Sequence, residues 1–126
     1  MDGLLRIGFV AALATTLSAP TALAGGDASK GQALFVRCAV CHTAQKGAPN
    51  RIGPNLFGVV GRKAGTLASY SYSSAMTKSG IVWGADTLPH YLIGPANIVP
   101  GTKMTFAGLP NQQQADDMVA YLATLK

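Results

Sequence analysis

The chain contains two cysteines, and they stand one helical turn apart with a histidine directly behind them: Cys38-Ala39-Val40-Cys41-His42. Three chemistries use thiols at that spacing. A disulfide or a dithiol redox pair employs both cysteines but leaves His42 without a role, and the strand of a βαβ unit that precedes a thioredoxin-type pair is missing. A closed zinc site needs four ligands, and beyond these residues only His90 and the aspartates remain, with no second C-x-x-C. Covalent haem attachment uses all three residues. The thiols reach the two vinyl groups along one porphyrin edge, and the imidazole that follows points at the iron.

With one face of such a haem taken by His42, the opposite face decides the chemistry. Its candidates are Met76, Met104, Met118 and His90. Met118 falls in the helical pattern Ala115, Met118, Val119, Leu122, Leu125 and reads as core. Met76 lies in a short polar stretch, where it could pack on a cofactor edge. His90, beside Pro89, would give a bis-histidine haem. Met104 ends the run Ile98-Val99-Pro100-Gly101-Thr102-Lys103-Met104, in which Pro and Gly favour an extended loop able to lay a side chain across a haem. Met104 is therefore the favoured ligand. His42 and Met104 together leave the iron no open position, which points to electron transfer, and a thioether raises the reduction potential relative to a second imidazole.

The elements that must position these residues are short helices. Asp27 is placed to cap a first helix with Gly31, Leu34, Phe35 and Cys38 on one face. A further helix is expected from near Asp86 to Gly94-Pro95, and a last one beginning at Asp116. Ahead of them, residues 1–24 read as a secretory leader: Arg6, an apolar run from Ile7 to Leu17, and Ala22-Leu23-Ala24 as a cleavage site. The apolar run is too short for the roughly 20 residues that span a bilayer, so an uncleaved anchor is the weaker reading. The expected organisation is a leader over 1–24 and one domain over 25–126, exported to the periplasm. A domain of this size forms only a modest core, so a cofactor is a welcome supplement.

The 126 residues are 48% hydrophobic and only 12% charged, well under the roughly 25% of an average globular protein. Ten basic and five acidic side chains give a net charge of +5, which loss of residues 1–24 leaves unchanged. A basic protein invites a nucleic-acid reading, but there is no Lys/Arg run and no stacking motif, so acidic protein partners fit better. Nothing in the sequence indicates oligomers.

The segments Cys38-Ala-Val-Cys-His-Thr43, Gly53-Pro-Asn-Leu-Phe-Gly-Val-Val-Gly-Arg62, Tyr72 to Trp83 and Pro100-Gly-Thr-Lys-Met-Thr-Phe-Ala-Gly108 together resemble the class I cytochromes c, especially the bacterial cytochrome c2 type near the mitochondrial protein. The resemblance implies an all-α fold, a single small domain of three main helices plus loops wrapped around one covalently bound haem c. It implies that the Pro54 carbonyl accepts the Nδ1 proton of His42 and that Tyr91 bonds the Met104 sulfur. Arg62, Tyr72, Trp83 and Thr102 match residues that satisfy a buried haem propionate, and Gly31 and Phe35 match those packing near Tyr121. The implied role is a soluble periplasmic electron carrier, not an enzyme, moving single electrons from a bc1-type complex to a terminal oxidase or a photosynthetic reaction centre.

Two departures accompany the match. Cys38 follows Phe35 one position sooner than in mitochondrial members. Where those carry a dense lysine ring, this chain has Arg37, Arg51 and Lys103 but also Ala96, Asn97, Pro110 and Asn111, so docking should be more apolar and less salt-sensitive. The rival readings are a peroxidase-like haem enzyme, for which no distal acid–base group stands out, and a dedicated electron acceptor of one periplasmic dehydrogenase.

Overall fold

A computed structural model describes residues 25–126; the leader expected over 1–24 lies outside the described residues. The elements are α1 (Ala28–Leu34), α2 (Val36–Ala39), α3 (Ser74–Lys78), α4 (Leu88–Ile93), α5 (Pro95–Ile98) and α6 (Gln112–Leu122). Between them run loops and turns, and the only strand-like pairing among the described residues is an isolated bridge between Lys63 and Val82. No helix among them is long and apolar enough to cross a membrane. The fold is small and all-α, as expected.

Asp27 caps α1 as its side chain accepts from the N–H groups of Ser29 and Lys30. The first helix runs on into α2 through Phe35: the Phe35 N–H bonds the Gly31 carbonyl at 3.0 Å, and the Ala39 N–H bonds the Phe35 carbonyl at 2.8 Å. This continuity carries the first turn of the chain directly to Cys38.

Two boundaries differ from expectation. The last helix begins at Gln112, with Asn111 as its cap accepting from the Gln114 N–H, so Asp116 sits one turn inside it. Three glutamines in a row carry little apolar signal, yet they are good helix formers, and the asparagine supplies the start that the aspartate was expected to supply. The helix expected from Asp86 starts at Leu88, because Thr87 accepts from the Gly84 N–H and bonds the Val82 carbonyl, holding residues 84–87 in a turn.

The first and last helices cross where Gly31 meets α6. A Cβ on Gly31 would fall 1.9 Å from the Asp117 carbonyl oxygen and 2.8 Å from the Tyr121 Cβ, so no larger residue fits. Phe35 then meets Tyr121 edge to face at 5.3 Å. Asp117, buried in this crossing, accepts from the Asp27 N–H at 2.8 Å and from Gln113 Nε2 at 2.9 Å. These two bonds hold its carboxyl below the usual carboxylate value, with burial opposing them and Lys30 assisting. The crossing thus fixes the first described helix to the last, and Met118, fully buried, faces inward from α6.

Candidate functional site

Beside this crossing lies a cavity of about 350 Å³. Its wall takes in Cys38, Cys41, His42, Pro54, Arg62, Tyr72, Trp83, Tyr91, Thr102 and Met104, residues drawn from five separate stretches of sequence. Met76 and Met118 also reach it, from α3 and α6, whereas His90 is exposed on α4 and does not.

One wall is built on the end of α2. The Cys41 and His42 N–H groups both bond the Cys38 carbonyl, at 3.0 and 2.9 Å, so the chain curls one further turn and brings both thiols and the imidazole to one side. The Gly53 N–H bonds the Cys41 carbonyl at 2.9 Å, and Gly53 lies flat beneath the imidazole: a Cβ there would be 2.3 Å from His42 Cε1. His42 Nδ1 is 2.6 Å from the Pro54 carbonyl oxygen. Since a carbonyl only accepts, Nδ1 carries the proton and Nε2 keeps its lone pair. Burial lowers the His42 pKa, the Pro54 bond opposes this and Arg62 adds to it, so the ring is neutral at neutral pH. A neutral imidazole with a fixed tautomer is a metal-ligand form of histidine.

The Pro54 carbonyl is itself held by a polar hub that the sequence reading did not single out. Asn55, 9% exposed, donates to the Gln45 and Ala48 carbonyls at 2.8 and 3.1 Å and accepts from the Phe57 N–H at 3.0 Å. Its own N–H bonds Asn50 Oδ1 at 2.8 Å, and its carbonyl accepts from Arg62 Nη2 at 3.1 Å. Every polar group of a buried asparagine is thereby used, which makes the 45–57 loop a rigid support. Its signal was present within the Gly53-to-Arg62 match but carried no chemistry of its own.

Another part of the wall is the segment bearing Met104. The Tyr91 hydroxyl, from α4, lies 3.3 Å from Thr102 Oγ1 and 3.9 Å from the Met104 sulfur, and the Met104 N–H bonds Thr102 Oγ1 at 3.3 Å. Burial raises the Tyr91 pKa, with the Thr102 bond opposing, so the phenol stays a donor. Trp83 stacks against Tyr91 at 4.7 Å and Tyr72 meets Tyr70 edge on at 4.8 Å.

The lining contains no Asp or Glu but does contain Arg37, Arg62 and Lys103, so the cavity suits an apolar body with an anionic edge. Thiols on one rim, a neutral imidazole and a thioether are the donor set of a covalently attached haem, and the residues present fit that group. They do not fit zinc. Among the described residues no group of three or more His, Cys, Asp or Glu side chains could hold a metal ion. Burial also pushes the Cys38 thiol up to about 11, against the pull of Arg37 and with Cys41 adding to the rise.

Comparison with known proteins agrees with this geometry. Residues 28–126 match the family model for cytochrome c. The chain is 50% identical over 101 residues to a cytochrome c of Gibberella zeae, covering 79% of this chain and 95% of that one. To cytochrome c2 of Rhodoblastus acidophilus it is 46% identical over 101 residues, covering 80% and 94%. The solved structure of cytochrome cH from Methylobacterium extorquens superposes with a TM-score of 0.73 at 44% identity, covering 79% of this chain and 99% of the other. A covalent haem site, an all-α shell around it and near-complete coverage of these relatives lead to one conclusion: the chain belongs to the cytochrome c family, an electron carrier and not an enzyme, with haem c attached through Cys38 and Cys41 and redox proteins as its partners.

Proposed function

We propose that this cytochrome is a periplasmic shuttle, released from its leader after Ala24, in which His42 and Met104 would be the protein ligands to the iron of a bound haem. The observation that carries this reading is the pairing of a neutral, Pro54-anchored imidazole with a Tyr91-directed thioether in the wall of a single cavity. Haem, when bound, supplies reversible one-electron chemistry at iron. What the chain supplies is position and environment. The two thioether links prevent loss of the group, Gly53 and Pro54 keep the imidazole from turning, and a Tyr91 hydrogen bond withdraws electron density from the sulfur and favours the reduced form. Arg62, Tyr72, Trp83 and Thr102 are assigned to the anionic edge, which would be costly to bury without partners.

Electrons are proposed to arrive from a bc1-type complex and leave to a terminal oxidase or a photosynthetic reaction centre. Val40 and Ile52 line the cavity and are 64% and 74% exposed, with Arg37 exposed beside them, so the contact face is apolar at its centre and basic at its rim. Transient redox encounters are small, and charge steers them more than it holds them. The test is stopped-flow reduction of the ferric holoprotein by a bc1-type complex, then oxidation by oxidase-containing membranes, each across a salt series. Fast exchange in both directions, with a shallower salt dependence than a lysine-ringed mitochondrial cytochrome c shows, is expected. Reduction only by a single dehydrogenase would instead make the protein that enzyme's dedicated acceptor.

A further inference from the structure

Residues 25–27 lie along α6 one by one. Gln113 Nε2 donates to the Gly25 carbonyl at 2.8 Å and to Asp117 Oδ1 at 2.9 Å, and the Asp27 N–H bonds that same carboxylate oxygen at 2.8 Å. Between these bonds Gly26 presses on α6: a Cβ there would collide with the Asp116 carbonyl and stand 3.0 Å from the Ala120 Cβ. Gly25 takes a φ of +82°, open to glycine, and turns the chain beside Asp116. The three residues form a strap over the start of α6, and its two glycines let it lie flat. At the outer end of the strap stands a carboxylate oxygen. Asp116 Oδ1 accepts from Gln112 Nε2 at 2.9 Å, but Oδ2 has no hydrogen-bond partner among the described residues. A Cβ built on Gly25 would lie 3.7 Å from that Oδ2. The Gly25 nitrogen hangs on the same Cα, so it is within reach of an ion pair with Asp116 once it carries a charge.

We propose that leader removal completes this strap: cleavage after Ala24 turns the Gly25 peptide nitrogen into an ammonium that pairs with Asp116 and ties the new first residue to α6. The proposal rests on the reading of residues 1–24 as a cleaved leader. Hydrolysis of the Ala24–Gly25 bond consumes one water, leaving the carboxylate on Ala24 and the amine, protonated at neutral pH, on Gly25. Before the cut the same nitrogen is an uncharged amide and offers Asp116 no cation. The other charged groups nearby are already engaged. Asp117 takes the Asp27 N–H and Gln113, with Lys30 of α1 acting on it, while the Asp27 carboxylate accepts from the N–H groups of Ser29 and Lys30. The free N–H groups at the start of α6 oppose an ammonium, and the pair is exposed, so its strength is modest.

The mass of the exported holoprotein gives its first residue, and Gly25 is expected. Its amines are then dimethylated with 13C-formaldehyde, which keeps their charge, and titrated by NMR in the ferrous state. The α-amine, ordinarily near about 8, stands apart from the lysines, near about 10. It should hold its proton about threefold more tightly in the parent than in Asp116→Asn, the size expected of an exposed pair. One alanine inserted between Ala24 and Gly25 moves the amine about 3.8 Å along the chain with net charge unchanged, and should produce the same loss. Because the pair strengthens the amine's hold on its proton in the folded chain, its stabilisation is full below about pH 8 and fades as the amine deprotonates. The parent should therefore melt above Asp116→Asn at pH 7, and the gap should narrow by about pH 10. Equal proton affinity in the parent and Asp116→Asn, with Gly25 first, would overturn the pair and leave the leader reading standing; so would an insertion form that titrates like the parent. A different first residue would overturn the leader reading and the pair with it.

Discussion

The two sides of the molecule are held by different means. At the crossing of α1 and α6, backbone meets backbone: Gly31 lies against the Asp117 carbonyl with no room for a Cβ, and the bond from the Asp27 N–H to Asp117 ties the cap of α1 to α6. In the segment from 103 to 107, no backbone group bonds another backbone group among the described residues, and tyrosine, threonine and lysine side chains hold it. A crossing made by close approach is stiff and specified by one small residue. A wall made by side chains around a cavity of about 350 Å³ needs a cofactor to complete it. On the proposed ligation, the stiff side would hold His42 in place as one ligand and the softer side would set how readily Met104 leaves the iron.

The sharpest break in that comparison is removal of both attachment thiols. Cys38→Ala with Cys41→Ala should abolish covalent haem, and the chain should be largely unfolded by circular dichroism, because a cavity of this size is left where the core should be. Next comes the stiff side. Gly31→Val should destabilise the holoprotein by about 3 kcal/mol, the upper range for overpacking, since the obstructing atom is backbone and cannot swing aside. Thermal melting checks this, and the reduction potential should scarcely move.

Met104→Ala should do the reverse. Haem stays attached and the helices stay folded, but the potential falls and added imidazole binds without delay; an unchanged potential would remove Met104 from the iron.

A smaller effect belongs to Asp117. Its carboxyl is held below its ordinary 3.8 in the folded chain, so its contribution is full above that value and is lost as pH falls through the folded pKa. Asp117→Asn should therefore be less stable than the parent at neutral pH, and the gap should close below about pH 4. Acid titrations followed by circular dichroism read both curves. The smallest effect is expected of Tyr91→Phe, which loses a long bond to sulfur and one to Thr102: stability should drop by about 1 kcal/mol, with a slight fall in potential.

Much of this was legible in the sequence because the chemistry sits in contiguous motifs. Cys38, Cys41 and His42 announce their use by spacing alone, and the loop around Met104 announces itself through Pro100 and Gly101. The crossing at Gly31 came from the family resemblance, with which a glycine on the apolar face of a capped helix agrees. Other features depend on contacts between distant residues. Asn55 looks like any polar loop residue until three backbone groups and the Arg62 side chain converge on it. Tyr70 and Lys103 are 33 positions apart, and no periodicity links them. The start of α6 was displaced to Asp116 because its first turn is written in glutamine, whose helix preference is real but carries no hydrophobic stripe.

The central claim is that His42 and Met104 would both bind the iron, and the absorption spectrum of the holoprotein, oxidised and then reduced with dithionite, tests it most directly. Sharp reduced bands together with the weak long-wavelength band of sulfur-ligated ferric haem are expected, and that ferric band should vanish in Met104→Ala. Sharp reduced bands with no such ferric band in the parent protein would contradict the assignment and return the sixth position to another residue.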